Sequence, residues 1–147
     1  MATIKTLVCA IDLSDPSAGV ADYAITMSKA FDAKIIVVYA TPPLNQYAAL
    51  EVQPKALEVF GEEISAGAGK QMEKIMSTLF AGVSATPLLK EGNPSEEIIA
   101  AAKENNADMI IMGTHGRKGV DLMLFGSVAE KVVKNAKLPV LTVNPNK

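Results

Sequence analysis

The chain has 147 residues, 49% of them hydrophobic and 20% charged, with a formal net charge of −2. That length suits one domain with one sizeable core, and the composition is that of a folded chain. The mild acidity argues against a nucleic-acid partner, which leaves a basic footprint, while one cysteine and one histidine exclude an intramolecular disulfide and any cysteine or multi-histidine metal cluster.

The first residues do not form a secretory signal, because Asp12 and Asp15 interrupt the apolar run early. No apolar stretch reaches the roughly 18 residues that a membrane span needs. The expectation is a soluble cytoplasmic protein, one domain over 1–147, with no membrane insertion. Taken in order, Ile4 to Ile11 is an apolar strand that ends at Asp12. A strand apolar on both faces suits the middle of a parallel sheet covered by helices. Ser14-Asp15-Pro16-Ser17 then opens a helix, with proline tolerated in the first turn. Val20, Tyr23, Ala24, Met27 and Ala30 recur at helical spacing behind it. Lys34 to Ala40 is a second strand. Thr41 to Pro54 holds three prolines and no clear period, and reads as a surface loop.

Leu57, Phe60, Ile64, Ala68, Met72, Ile75, Met76 and Leu79 form one long helical stripe, weakened by Gly61, Gly67 and Gly69. Met72 and Met76 fit that stripe as core residues. Val83 to Leu89 is a third strand, placed at a sheet edge by Pro87. Gly92-Asn93-Pro94-Ser95-Glu96-Glu97 is a helix start: Asn93 caps, Pro94 takes the first position and the acids lie in the first turn. Asp108 to Met112 is a fourth strand. A helix from Ser127 turns Val128, Val132 and Val133 inward, and Leu138 to Val143 is a fifth strand. Strands alternate with helices throughout, which is the pattern of an α/β domain with a parallel sheet and right-handed crossovers.

The segment between the fourth strand and its helix carries the chemistry. Gly113 and Gly116 are separated by two residues, and nine more lead to Gly126, followed at once by Ser127. A strand that hands a glycine-punctuated loop to a helix start is physically a phosphate site. Glycines let the backbone approach an anion, and the first-turn N–H groups and the helix dipole favour negative charge. No Walker A loop and no dinucleotide fingerprint is present. Gly67-Ala68-Gly69-Lys70 lies within a helical period and is accidental. In an open parallel sheet, residues at the carboxyl ends of strands share a crevice. If the first and fourth strands are neighbours, Asp12 lies within a nucleotide's length of the glycine loop. Its carboxylate can accept from two ribose hydroxyls, with phosphates at Gly113, Gly116, Gly126, Ser127 and Val128. The alternative for Asp12 is a turn residue that caps the next helix.

The spacing G-x2-G-x9-G-S/T resembles the nucleotide-binding signature of the universal stress protein family. Val8-Cys9-Ala10-Ile11-Asp12 resembles that family's first strand, and Gly92-Asn93-Pro94 its G-x-P before the third helix. Met112-Gly113-Thr114-His115-Gly116 with Leu124-Phe125-Gly126-Ser127-Val128-Ala129 resembles its final motif, and Leu138 to Val143 its last strand. The resemblance implies a Rossmann-like, open five-stranded parallel sheet of order 3-2-1-4-5 with helices on both faces. It also implies ATP as ligand, with AMP or ADP as alternatives, and adenine near Ala10, Ile11 and Ala40. Ala10 stands where many members have proline. Met112 and Arg117 complete the binding residues that the resemblance implies. Any Mg²⁺ would be held chiefly by phosphates and water.

His115 could contact a phosphate or act as a general base, or be a plain loop residue. Arg117 and Lys118 could offset triphosphate charge or simply be solvated. Cys9, within an apolar strand, reads as a buried structural thiol. No acid–base pair or Ser-His-Asp order stands out. Three functions follow as expectations: an ATP-binding regulatory protein of the stress-response type with slow or absent hydrolysis, a low-turnover ATPase, or a partner-binding module whose nucleotide is structural. In the implied sheet order the last strand is an edge, and Val140, Leu141, Thr142 and Val143 are apolar or β-prone without a charge to blunt them. A homodimer through that strand is the expected assembly, and a further protein partner stays open.

Overall fold

The structure is a computed structural model that describes residues 1–12, 17–41, 53–114 and 126–144. Its elements are β1 (Thr6–Ala10), α1 (Ser17–Phe31), β2 (Lys34–Thr41), α2 (Pro54–Leu79), β3 (Ala85–Glu91), α3 (Pro94–Glu104), β4 (Met109–Gly113), α4 (Ser127–Asn135) and β5 (Val140–Val143). The strands pair in parallel in the order β3-β2-β1-β4-β5, the order that the resemblance implied.

Alternation along each strand sends successive side chains to opposite faces and so builds two cores. Leu7, Cys9, Ile35, Val37 and Ile111 pack under α1 and α2, against Val20, Ala21, Ala24 and Met72. Val8, Ala10, Ile36, Val38, Ile110 and Met112 pack on the other face, against Ile98, Ala101 and Ala102 of α3 and Ala129 and Val132 of α4. β1, covered on both faces, is buried along its whole length.

Two helix faces differ from the expected stripes. The inward face of α1 is Ser17, Val20, Ala21, Ala24 and Ser28, while Tyr23 is 55% exposed. Scanning for apolar residues passes over buried serines, yet both are satisfied: Ser28 Oγ donates to the Ala33 carbonyl, and Ser17 Oγ donates to Asp12. Buried polar groups with partners belong in a core. In α4, Val132 is fully buried but Val133 is 47% exposed. Strand boundaries also move by up to two residues: the third strand begins at Ala85, because Val83 N–H turns back to the Phe80 carbonyl. Of the expected loop 41–54, Thr41 ends β2 and Pro54 begins α2, and 42–52 lie outside the described residues, as does the start 14–16 assigned to the first helix. Among the described residues, no helix is long and apolar enough to cross a membrane.

Pro87 lies inside β3, which is an edge strand as expected. Ile35 N–H donates to the Ser84 carbonyl, so backbone groups of even-numbered β3 residues face β2. Those of Pro87 face the open side, where a missing N–H removes no ladder bond.

β4 enters the sheet beside β1 through Asp108. One carboxylate oxygen accepts the N–H groups of Lys5 at 2.8 Å and Thr6 at 3.0 Å, and Asp108 N–H donates to the Thr6 carbonyl at 2.8 Å. The two backbone donors hold the carboxyl below its usual range. A depressed carboxyl stabilises the fold above its unfolded pKa of about 4 and loses that contribution as pH falls through the folded value. Asp108→Ala should therefore cost about 1 kcal/mol at pH 7, or roughly 2–4 °C in Tm. Thermal melts of both proteins should converge as pH is lowered below 4; a gap unchanged down to pH 2 would contradict the assignment.

Candidate nucleotide site

β1 and β4 pair with Ala10 opposite Met112. Adjacent strands lie about 4.8 Å apart, so the residues that leave the sheet next, Ile11 and Asp12 on one side and Gly113 and Thr114 on the other, flank one crevice. Here the winding reverses, since β1 leads to β2 on one side while β4 and β5 fill the other. β2 extends the same rim: Ile11 N–H donates to the Val38 carbonyl at 2.9 Å, and Ala40 follows two residues on, half-buried.

The side chains of Ala10 and Met112 face the α3–α4 core, and that of Ile11 the α1–α2 core. What these three residues offer to the crevice is backbone. Asp12 differs. It is half-buried, and its Oδ1 accepts the Ser17 hydroxyl at 2.9 Å, while Asp12 N–H donates back to Ser17 Oγ at 3.3 Å. Both bonds tie Asp12 to the side chain of Ser17, the first residue of α1.

The strand-to-helix segment closes on itself. Thr114 N–H donates to the Val143 carbonyl at 2.9 Å, and the Thr114 carbonyl accepts Gly126 N–H at 2.6 Å. The start of α4 is thereby fixed beside the end of β4. Gly116 and Arg117 lie outside the described residues, together with His115 and Lys118. Gly126 is the cap residue of α4, with φ −75° and ψ 168°. Any residue adopts that conformation, so backbone geometry does not require glycine there. Among the described residues no side chain caps α4, whereas in α3 the Asn93 side chain accepts Glu96 N–H at 3.4 Å. The first N–H groups of a helix have no partner within it. A capping side chain at 126 would engage the N–H of Val128 or Ala129; glycine instead leaves room for an anion to approach. This donor set fits phosphate oxygens. It does not fit a resident metal, and among the described residues no three His, Cys, Asp or Glu side chains gather to hold one.

Two of the site's joints were not legible as such in the sequence. Thr114 is 7% exposed and holds both ends of the loop through its backbone, which leaves no side-chain signature. Ser17 carries a weak signal: it stands three and four residues before Val20 and Ala21 on the buried helix face, so it faces inward.

The sequence model of the Universal stress protein family matches residues 3–144. The chain belongs to the universal stress protein family. It is 34% identical over 144 residues to universal stress protein MJ0531 of Methanocaldococcus jannaschii, covering 97% of this chain and 84% of that one. Its fold superposes on the solved structure of the hypothetical protein MJ0577 with a TM-score of 0.82 at 26% identity, covering 97% of each chain. Two other solved structures share the fold. One is a universal stress protein in complex with cAMP, at TM-score 0.71, 23% identity and coverage of 98% and 99%. The other is the universal stress protein from Archaeoglobus fulgidus in complex with dAMP, at TM-score 0.69, 20% identity and coverage of 98% and 100%.

The outer rim is set by Gly92, just past β3. Its N–H donates to the Thr41 carbonyl at 2.9 Å, tying the ends of β2 and β3 together, and Thr41 Oγ1 donates to the Lys90 carbonyl at 3.2 Å. Gly92 has φ +147°, and an added Cβ would lie 2.7 Å from Glu97 Oε1. Gly92→Ala should destabilise the protein by about 1–3 kcal/mol, chiefly through backbone strain. Urea unfolding would measure it, and an unchanged midpoint would show that the strain is not there.

Proposed function

We propose that this chain, as one universal stress protein domain over 1–147, binds ATP, with AMP or ADP as alternatives, and acts as a nucleotide-dependent regulatory protein of the stress response. The observation that carries the reading is the pairing of Ala10 with Met112, which brings Asp12 beside Gly113. In this reading Asp12 takes the ribose hydroxyls, and adenine contacts the backbone around Ala10, Ile11 and Ala40. The phosphates meet Gly113, Gly116, Gly126 and the N–H groups of Ser127 and Val128, with Met112 and Arg117 completing the binding residues. The uncapped start of α4 supports the phosphate end. The complexes of related folds with cAMP and dAMP support an adenine nucleotide as the class of ligand. A Mg²⁺ ion brought with ATP would be held by phosphate oxygens, where it neutralises charge.

Binding, with slow or absent hydrolysis, is the activity proposed. Efficient phosphoryl transfer needs a water-orienting residue and a placed cation, and the candidates the sequence offers, His115, Arg117 and Lys118, lie outside the described residues. The protein is proposed to work in the cytoplasm. Calorimetry with ATP tests the site. Gly126→Val should abolish binding while the thermal melt stays cooperative. Asp12→Ala should weaken ATP and AMP alike by roughly 1.5–3 kcal/mol, the worth of a hydrogen bond to a charged group. Unchanged affinity in both folded variants would defeat the assignment.

A homodimer through β5 belongs to the same proposal. β5 is an edge strand, and Val140, Leu141 and Thr142 are each only partly buried. The Pro139 and Val143 carbonyls face β4, so the backbone groups of Val140 and Thr142 face the open edge, where a second copy can pair by two-fold symmetry. Thr142→Pro removes an outward donor and leaves the β4 ladder intact. Light scattering should give twice the chain mass for the wild type and the chain mass for the variant. A wild type that stays monomeric at micromolar concentration, with and without ATP, would remove β5 pairing from the proposal.

A further inference from the structure

The Asp12–Ser17 pair does more than start a helix. Asp12 is the second residue beyond β1, so its backbone leaves the sheet just after the bond from Ile11 N–H to the Val38 carbonyl. Its side chain is held separately. Ser17 Oγ donates to Oδ1 at 2.9 Å and receives Asp12 N–H at 3.3 Å, a reciprocal pair that fixes both the carboxylate and the backbone bearing it. Ser17 itself is 3% exposed and opens the face on which Val20, Ala21 and Ala24, each at most 3% exposed, pack against the sheet. The position of its hydroxyl is therefore set by helix packing. A carboxylate offers about four lone-pair sites on its two oxygens, and its orientation decides whether they meet a vicinal diol.

We infer that Ser17 is a positioning residue that orients the Asp12 carboxylate toward the 2′- and 3′-hydroxyls, so that the site selects ribonucleotides over nucleotides lacking them. The inference rests on the nucleotide reading above and goes beyond it by assigning the selectivity to a residue that need not touch the ligand. The alternative role for Ser17 is structural only, as part of the turn into α1. The two roles differ in what they predict for a ligand without sugar hydroxyls. A structural defect weakens every nucleotide, whereas a misaimed carboxylate weakens only those it would have bonded.

The test is calorimetry with ATP and 2′,3′-dideoxy-ATP on the wild type and on Ser17→Ala, Ser17→Thr and Asp12→Ala, with circular dichroism melts as a check on folding. The wild type should prefer ATP. Ser17→Ala should lose about tenfold in affinity for ATP, the worth of one hydrogen bond, and less than about twofold for the dideoxy ligand. Ser17→Thr, which keeps the hydroxyl, should restore the preference. If Ser17→Ala fails to fold, Ser17→Cys, similar in size with only a weak donor, provides the same comparison. Equal loss for both ligands, or no loss, would overturn the positioning role. If Asp12→Ala removes the preference for ATP while Ser17→Ala keeps it, the ribose assignment stands and only this inference falls. If Asp12→Ala also keeps it, the ribose assignment falls and the inference falls with it.

Discussion

The parallel pairing of β1 with β4 is the constraint on which the rest depends. It joins two segments about a hundred residues apart in sequence and is fixed from both ends. At the amino end Asp108 gathers the N–H groups of Lys5 and Thr6; at the carboxyl end Ala10 meets Met112. Both strands are clamped between layers, because their side chains alternate into the two cores. A slip of one residue would exchange every side chain between those layers, and it would also move Asp12 along the rim relative to Gly113. Core packing and the register of the crevice are thus the same requirement.

The architecture was legible because parallel strands buried on both faces are nearly continuous apolar runs, and the helices between them carry their own punctuation. Asn93 and Pro94 marked a helix start that the structure places at that point. What stayed hidden was of two kinds. Polar residues that belong to the core are invisible to a search for apolar period, and the face of α1 was rotated in consequence, with Ser17 and Ser28 inside and Tyr23 outside. Backbone joints such as Thr114 have no side-chain signature. For the candidate site, the sequence named the residues but not their roles: it could place Asp12 near Gly113 only on the condition that β1 and β4 adjoin. Gly116 and Arg117 lie outside the described residues, so that part of the reading rests on spacing and resemblance.

Two of the helix starts at the carboxyl rim, those of α3 and α4, are built in different ways. α3 begins under a side chain, with Asn93 taking Glu96 N–H and the Ser95 hydroxyl. α4 begins under a bare glycine whose φ and ψ any residue could adopt. A substituted cap such as serine or asparagine stabilises a helix start by about 1 kcal/mol over alanine, and over glycine by only a few tenths. The choice of glycine at 126 therefore costs little stability, and what it changes is access to the first-turn donors.

Cys9 sits in the middle of this arrangement. It is fully buried in the central strand, and burial pushes its thiol up to about 12. It is also the chain's only cysteine. At neutral pH a thiol in that position is almost wholly protonated and shielded by β2, β4 and the helix layer above it, so a reagent reaches it only when the sheet comes apart. The molecule thus carries its own clock for opening. The rate at which Cys9 is labelled measures how often the centre of the sheet is exposed, and a cysteine introduced on the surface could be tagged selectively while Cys9 stays silent.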